Sequence, residues 1–388
     1  MTRRERLLAT LRGQSVDRPA VSFYEIGGFT IDPDDPDPYN IYNAADWRPL
    51  LALAEERTDL IRLMSPVRDR SIDPTGSAAG GRWREFFREE TRDDGETRIT
   101  RTLLTIAGRT LTQVTKRDRQ VNTVWTVEHL LKSADDVSAY LTVPDEAFTE
   151  RIDVAPLEAQ EAALGDRGIV MVDTEDPLCA AAALMSMEDY TVLAFTEPSL
   201  FHRLLEKMAC RIQARTAEVS RLFPGRLWRI YGPEYASEPY LPPRLFEEYV
   251  VRYVTPMIRE IHAHGGYARV HCHGRVKNIL DMIAGMGADA LDPIEPPPQG
   301  DVTLREVRER HGRQLVLFGN LEVADIEMLP TPRFSELVKR ALDEGTAGEG
   351  RGFVLLPSAS PYGRTLTPVT LRNYETMVRL AETWQRHA

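Results

Sequence analysis

Tyr267-Ala268-Arg269-Val270-His271-Cys272-His273-Gly274 reads as one short buried strand that runs out into polar groups beside a glycine. Side chains two apart on a strand share a face, so His271 and His273 point one way and Cys272 the other. Helical spacing precedes the strand, from Leu245 to His264, and returns after it, from Val276 to Met286. This unit decides the fold because it recurs along the chain.

Working outward, Gly168–Val172, Leu227–Tyr231, Ala288–Leu291, Leu315–Phe318 and Phe353–Leu356 are further apolar strand-length runs. Helical patterns follow them at Leu200–Arg221, Leu304–His311, Phe334–Glu344 and Pro368–Arg386. Two earlier runs, Ala20–Tyr24 and Asp59–Leu63, flank a helix over Trp47–Arg57. Alternating strands and helices imply a parallel sheet, and eight strands is the number that closes a barrel. We therefore expect an α/β protein built as a (β/α)8 TIM barrel, one domain over residues 1–388. A doubly wound open sheet is the alternative. No Gly-x-Gly-x-x-Gly sits at a strand–helix turn, which removes support for a dinucleotide fold. Residues 83–127 have a different texture: Thr97–Leu103 and Arg109–Thr115 are β-branched runs joined through Ala107-Gly108. They read as antiparallel β-hairpins inserted in the barrel.

Composition narrows the partners. With 388 residues and 42% hydrophobic content the chain can bury a large core, and a net charge of −11 argues against nucleic acid, whose phosphates need a basic face. No apolar run approaches a membrane span. The charged start Met1-Thr2-Arg3-Arg4 leads into no apolar signal region, and the three cysteines show no pairing pattern. These features read as a cytoplasmic protein in a reducing compartment.

In such a barrel the active site lies at the C-terminal ends of the strands. Those ends are Tyr24-Glu25, Asp173 to Asp176, Gly232-Pro233-Glu234, His271 to Gly274, Asp292 to Glu295, Gly319-Asn320 and Pro357 to Ser360. His271 and His273 converge on one face, and paired imidazoles suit a transition metal. The blander reading is a hydrogen-bonding pair at a strand end. Glu234, one strand earlier, is the best third ligand, since two histidines and a carboxylate leave open positions as catalytic zinc requires. It doubles as a candidate base, and a capping or salt-bridged role is its ordinary alternative. Asp292 and Glu295 are candidates to orient an imidazole from behind. Asp173, with Glu175 and Asp176 beside it, is a candidate acid or base. Tyr24, Glu25, Tyr235, Asn320 and Tyr362 are the candidate substrate contacts, joined by Tyr240, with packing as the plainer role for the tyrosines. His262 and His264 fall on different faces of a helix and read as structural. Cys179 and Cys210 read as buried packing thiols.

Several stretches resemble the uroporphyrinogen decarboxylase superfamily over nearly the whole length. They are Arg4-Glu5-Arg6-Leu7-Leu8 through Asp17-Arg18-Pro19, the hairpin around Gly108, Gly265 to Gly274, Gly287-Ala288-Asp289-Ala290-Leu291, Leu317-Phe318-Gly319-Asn320, and Thr367-Pro368. The resemblance implies a (β/α)8 barrel. Its decarboxylases carry an arginine-rich segment after the first strand, where this chain reads Phe23-Tyr24-Glu25-Ile26-Gly27-Gly28. With no arginine there and a glutamate that repels carboxylates, porphyrinogen decarboxylation is not implied. The other branch holds zinc-dependent methyl- and alkyltransferases, many acting with a corrinoid protein. Their His-x-Cys motif has its histidine at His271, but His273 stands in place of the cysteine. Ser358 or Ala359 stands where a second cysteine would close the set. Glu234 falls where members carry acidic residues. Two neutral imidazoles and one carboxylate leave the ion more positive than thiolates do, hence a stronger Lewis acid. The resemblance so adjusted implies Zn2+ or another divalent metal, an oxygen-linked methyl donor, a corrinoid protein as partner, and a monomer or homodimer. A metal-dependent lyase or hydrolase using bound water is the alternative. So is a metal-free decarboxylase of a small acid that grips its substrate with Arg275 or Arg364.

Overall fold

The computed structural model describes residues 1–26, 34–69 and 82–385. Eight parallel strands form its centre: β1 (Ala20–Val21), β2 (Leu60–Met64), β3 (Gly168–Glu175), β4 (Leu227–Tyr231), β5 (Tyr267–His271), β6 (Ala290–Asp292), β7 (Val316–Leu321) and β8 (Phe353–Pro357). They lie in the order β1-β8-β7-β6-β5-β4-β3-β2. The sheet curls until its outer strands meet, where the Asp59 backbone N–H donates to the Val21 carbonyl at 2.7 Å. The expected eight strands and barrel-like α/β architecture are therefore observed.

Period-two alternation sorts the strand residues into two layers. Ile61, Leu63, Ile169, Met171, Leu227, Ala290, Val316, Phe318, Val354 and Leu356 pack together inside the barrel. Leu7 and Leu11 of the first helix, Arg3–Leu11, close its lower end. The other parity, including Val170, Val172, Trp228, Ile230, Ala268, Val270 and Cys272, packs outward against the helices.

The 87–128 region forms a separate four-stranded antiparallel sheet of Phe87–Asp93, Thr97–Ile106, Arg109–Asp118 and Val124–Glu128. Its central hairpin turns on Ala107 and Gly108, both with positive φ (49° and 71°), the geometry a two-residue hairpin loop demands. The sequence reading found the two middle strands and not the outer ones. Two helices in the following stretch, Ala134–Leu141 and Ala155–Leu164, were not anticipated either. The predicted helix over Leu245–His264 is interrupted, with a π-helical turn at Glu247–Val251. No helix among the described residues is long and apolar enough to cross a membrane.

Candidate active site at the strand ends

In the parallel register, cross-strand neighbours share a face, and this builds the site in rows. Asp173, Arg229, Arg269 and Ala290 are successive partners across β3, β4, β5 and β6. One pleat higher the row is Glu175, Tyr231, His271 and Asp292. The lower row lies on the inward parity, where a barrel normally stacks branched apolar residues. Two arginines sit directly opposite each other there.

Each arginine has its own acid. Arg229 donates to both oxygens of Asp173, at 2.7 and 3.1 Å, and reaches Glu25 at 3.5 Å. Arg269 places Nε 3.0 Å from Asp292 Oδ1. Tyr24 lies between the two systems. Its hydroxyl is 3.1 Å from Glu25 and 3.2 Å from Asp292, and its ring faces both guanidinium groups, at 5.6 and 4.3 Å.

The histidines stand on this floor. His271 Nδ1 meets Asp292 Oδ2 at 2.8 Å, and His273 Nδ1 meets Glu295 Oε1 at 2.8 Å. A carboxylate only accepts, so in both rings Nδ1 carries the proton. Neither Nε2 is used in a hydrogen bond with the described residues. The ring centroids are 4.7 Å apart and the planes are crossed at 89°. Gly274 follows at φ +80°, a conformation that suits glycine, and its N–H donates to Glu295 Oε2 at 2.6 Å.

Burial and charge oppose each other throughout. Burial pulls the His273 imidazole down, but the bonded Glu295 carboxylate outweighs it and raises the group to about 9. Burial pushes Asp292 up, yet Arg269 and then His271 hold it well below the usual carboxylate range. Glu295 is lowered in the same way by His273. Glu322 goes the other way, because burial and the nearby Glu295 charge lift it to about 7. It accepts from Ser358 Oγ at 3.0 Å, and its second oxygen is buried without a partner among the described residues. Burial likewise drives up Asp176, Cys179 and Cys272.

The other expected residues fall as follows. Glu234 lies on a turn after β4 and accepts from the Gly232 N–H at 3.1 Å. Gly232 itself is obligatory, since a Cβ there would sit 2.2 Å from Cys179 Cβ. No three His, Cys, Asp or Glu side chains among the described residues are gathered as a ready ligand set, so Glu234 is not assembled with the two histidines. His271 and His273 are the residues that would hold a metal, because each Nδ1 is fixed by a carboxylate as in metal-binding histidines; His273, raised to about 9, would give up its Nε2 proton on binding the ion. Asp173 is held by Arg229, and Glu175 by Arg215 at 2.7 Å. Asn320 donates to the Ile294 carbonyl at 3.0 Å. Glu25 also accepts from the Ser360 N–H at 2.9 Å. Tyr24 is buried inside the barrel, Tyr235 packs edge-on against Tyr190, and Tyr240 and Tyr362 are exposed. Gly27 and Gly28 lie outside the described residues. Arg364 is committed to Asn43 and to the Pro38 and Arg119 carbonyls, and Arg275 is exposed.

Cys272 is buried on the helix side, and His262 bonds Asp289 at 2.7 Å far from the strand tops. Cys179 and Cys210 correct an expectation: Cys179 is only half-buried, and Cys210 is exposed because Met208, Ala209 and Ile212 occupy the buried stripe of its helix, Pro198–Leu222. Arg229, Arg269 and Glu322 were missed. For the arginines the signal was parity, since each lies two residues after an inward strand position and two before a strand end.

A family model described as uroporphyrinogen decarboxylase (URO-D) matches residues 126–384. Among solved structures, a methyltransferase from Methanosarcina mazei superposes over 98% of each chain with a TM-score of 0.59 and 15% identity. At that identity the likeness shows the fold alone. A D-psicose 3-epimerase from Clostridium cellulolyticum H10, solved with D-tagatose, covers 63% of this chain and 83% of its own. Its TM-score of 0.34 and identity of 10% carry no weight here. No curated protein matches the chain.

Proposed function

The chain belongs to the uroporphyrinogen decarboxylase family, and from that premise we propose that it is a metal-dependent methyl- or alkyltransferase. Its donor is an oxygen-linked methyl group and its acceptor a reduced corrinoid on a partner protein. One observation carries this reading: His271 and His273 stand side by side with Nδ1 on carboxylates and Nε2 left over. The methyltransferase with the same overall fold is consistent with it.

His271 and His273 would hold the metal, and Glu234, bonded here to the Gly232 N–H, would be the third ligand. A divalent ion such as zinc, when bound, would supply Lewis acidity for an oxygen-linked donor. Asp292 and Glu295 orient the two rings. With no thiolate among the proposed ligands, the ion keeps the positive character that an ether or alcohol oxygen needs.

The test is a methyl-transfer assay with zinc-loaded protein, chemically reduced cobalamin as acceptor, and methanol or an aryl methyl ether as donor. The expected result is formation of methylcobalamin that depends on zinc and disappears in His271→Ala/His273→Ala. Zinc-filled protein that methylates cobalamin from none of these donors would overturn the proposal.

A further inference from the structure

Arg269 is a buried charge whose place packing does not explain. Its side chain is 0% exposed, and among the described residues Nε, Nη1 and Nη2 find no hydrogen-bond partner. The guanidinium lies between two aromatic faces, Tyr24 at 4.3 Å and Phe318 at 5.0 Å, with the small Ala290 opposite it on β6. Its ionic partner is Asp292, at 3.0 Å but without hydrogen-bond alignment. Directly across on β4 stands a second arginine, Arg229. A buried ion pair of this kind is costly to form, and apolar residues of similar volume would serve stability as well or better. The arrangement therefore does something that packing alone does not require.

Asp292 shows what that is. It too is 0% exposed, and it is the residue on which His271 rests its Nδ1. Tyr24 reaches the same oxygen, Oδ2, as His271 does, while Arg269 lies against Oδ1. We propose that Arg269 is a positioning residue for His271: by pinning Asp292 as an acceptor it fixes the imidazole as the Nδ1–H tautomer, with the Nε2 lone pair free for the site. The aromatic faces hold the guanidinium without consuming its charge. Tyr24 adds a second contact that stops the carboxylate from turning. Without the guanidinium, Asp292 keeps only the Tyr24 and His271 contacts on Oδ2 and Oδ1 faces no cation, so the hold on the carboxylate weakens and the ring gains access to either tautomer. The use of the Nε2 lone pair as a metal ligand rests on the function proposed above; the tautomer lock does not.

The first measurement is histidine nitrogen NMR on the metal-free protein at pH 8. In the wild type we expect His271 with a protonated Nδ1 and a bare Nε2. In Arg269→Met we expect a mixture of tautomers, and in Arg269→Lys, which keeps the charge, the wild-type pattern. Zinc affinity should fall roughly 10–100-fold in Arg269→Met and by less in Arg269→Lys. If folded Arg269→Met keeps both the wild-type tautomer and the wild-type zinc affinity, Arg269 is only a structural ion and the inference fails. If Arg269→Met does not fold, the wild-type spectrum decides: a His271 with its proton on Nε2 overturns the proposal. A wild type that binds no zinc but shows the locked tautomer sinks the metal reading and leaves the positioning role standing.

Discussion

The two ends of the barrel each bury a cluster of arginines and aspartates, and they complete them differently. At the lower end Arg6 donates to Asp59 at 2.5 Å and to both oxygens of Asp17 at 2.7 and 2.8 Å. Arg18 takes the other Asp59 oxygen at 2.8 Å, and the Val21 N–H joins it at 2.9 Å. Both oxygens of Asp59 have aligned donors, and the residue ties β1 to β2 where the sheet closes. At the upper end, among the described residues, Arg269 makes no aligned hydrogen bond, Asp292 Oδ1 lacks one too, and neither imidazole Nε2 has a partner. A buried polar network that is fully satisfied rigidifies a fold, while one left partly open stores capacity for something else. The lower cluster is the clasp of the barrel, and the upper one is the candidate working end.

Mutations can break that contrast, and the largest expected effect lies at the clasp. Asp59→Asn leaves Arg6 and Arg18 short of charge in a buried place, and we expect a loss of about 3–5 kcal/mol of stability by denaturant unfolding. Zinc affinity of the folded fraction should not change. A coupled loss of affinity would show that the two ends are not separate devices. At the working end, His271→Ala/His273→Ala should abolish stoichiometric zinc binding while thermal unfolding stays within a few degrees of wild type. Metal analysis after dialysis checks it, and retained zinc would remove both residues from the ligand set.

The smallest effect sharpens the comparison through pH. Glu322 is raised to about 7 from an ordinary value of 4.5. Between those values the unfolded chain has released the proton that the folded chain keeps. Folding stability from this group is therefore full below about pH 4.5 and declines as pH rises through 7. Glu322→Gln should match wild type near pH 4.5 and be more stable at pH 8, by about 1 kcal/mol after allowing for solvent screening. Equal pH dependence in the two proteins would show that Glu322 is an ordinary ionised surface acid.

Much of this was legible in the sequence. The eight strands followed from apolar runs and turn residues, and the His271/His273 pair from its spacing at a strand end. The inserted hairpin followed from β-branched runs around Ala107-Gly108. What escaped had physical reasons. Arg229 and Arg269 interrupt apolar strands, and a charge in a short strand reads as an edge until closure of the barrel buries it. The helix Ala134–Leu141 starts at a Ser133 cap whose side chain accepts from Asp136 N–H, a signal present in Ser133-Ala134-Asp135-Asp136 but outweighed by its polarity. Cys210 was assigned to the wrong face because a single residue two positions from Met208 and Ile212 lies off the buried stripe. Glu322 comes just past Asn320, after the strand end at which the sequence reading stopped.

We propose that His271, His273 and Glu234 would hold zinc through nitrogen and oxygen with no thiolate, and X-ray absorption of the zinc-loaded protein tests this most directly. The expected spectrum has two imidazole nitrogens at about 2.0–2.1 Å with oxygen completing the shell, and no sulfur. A sulfur shell at about 2.3 Å, drawn from Cys179 or Cys272, would contradict it.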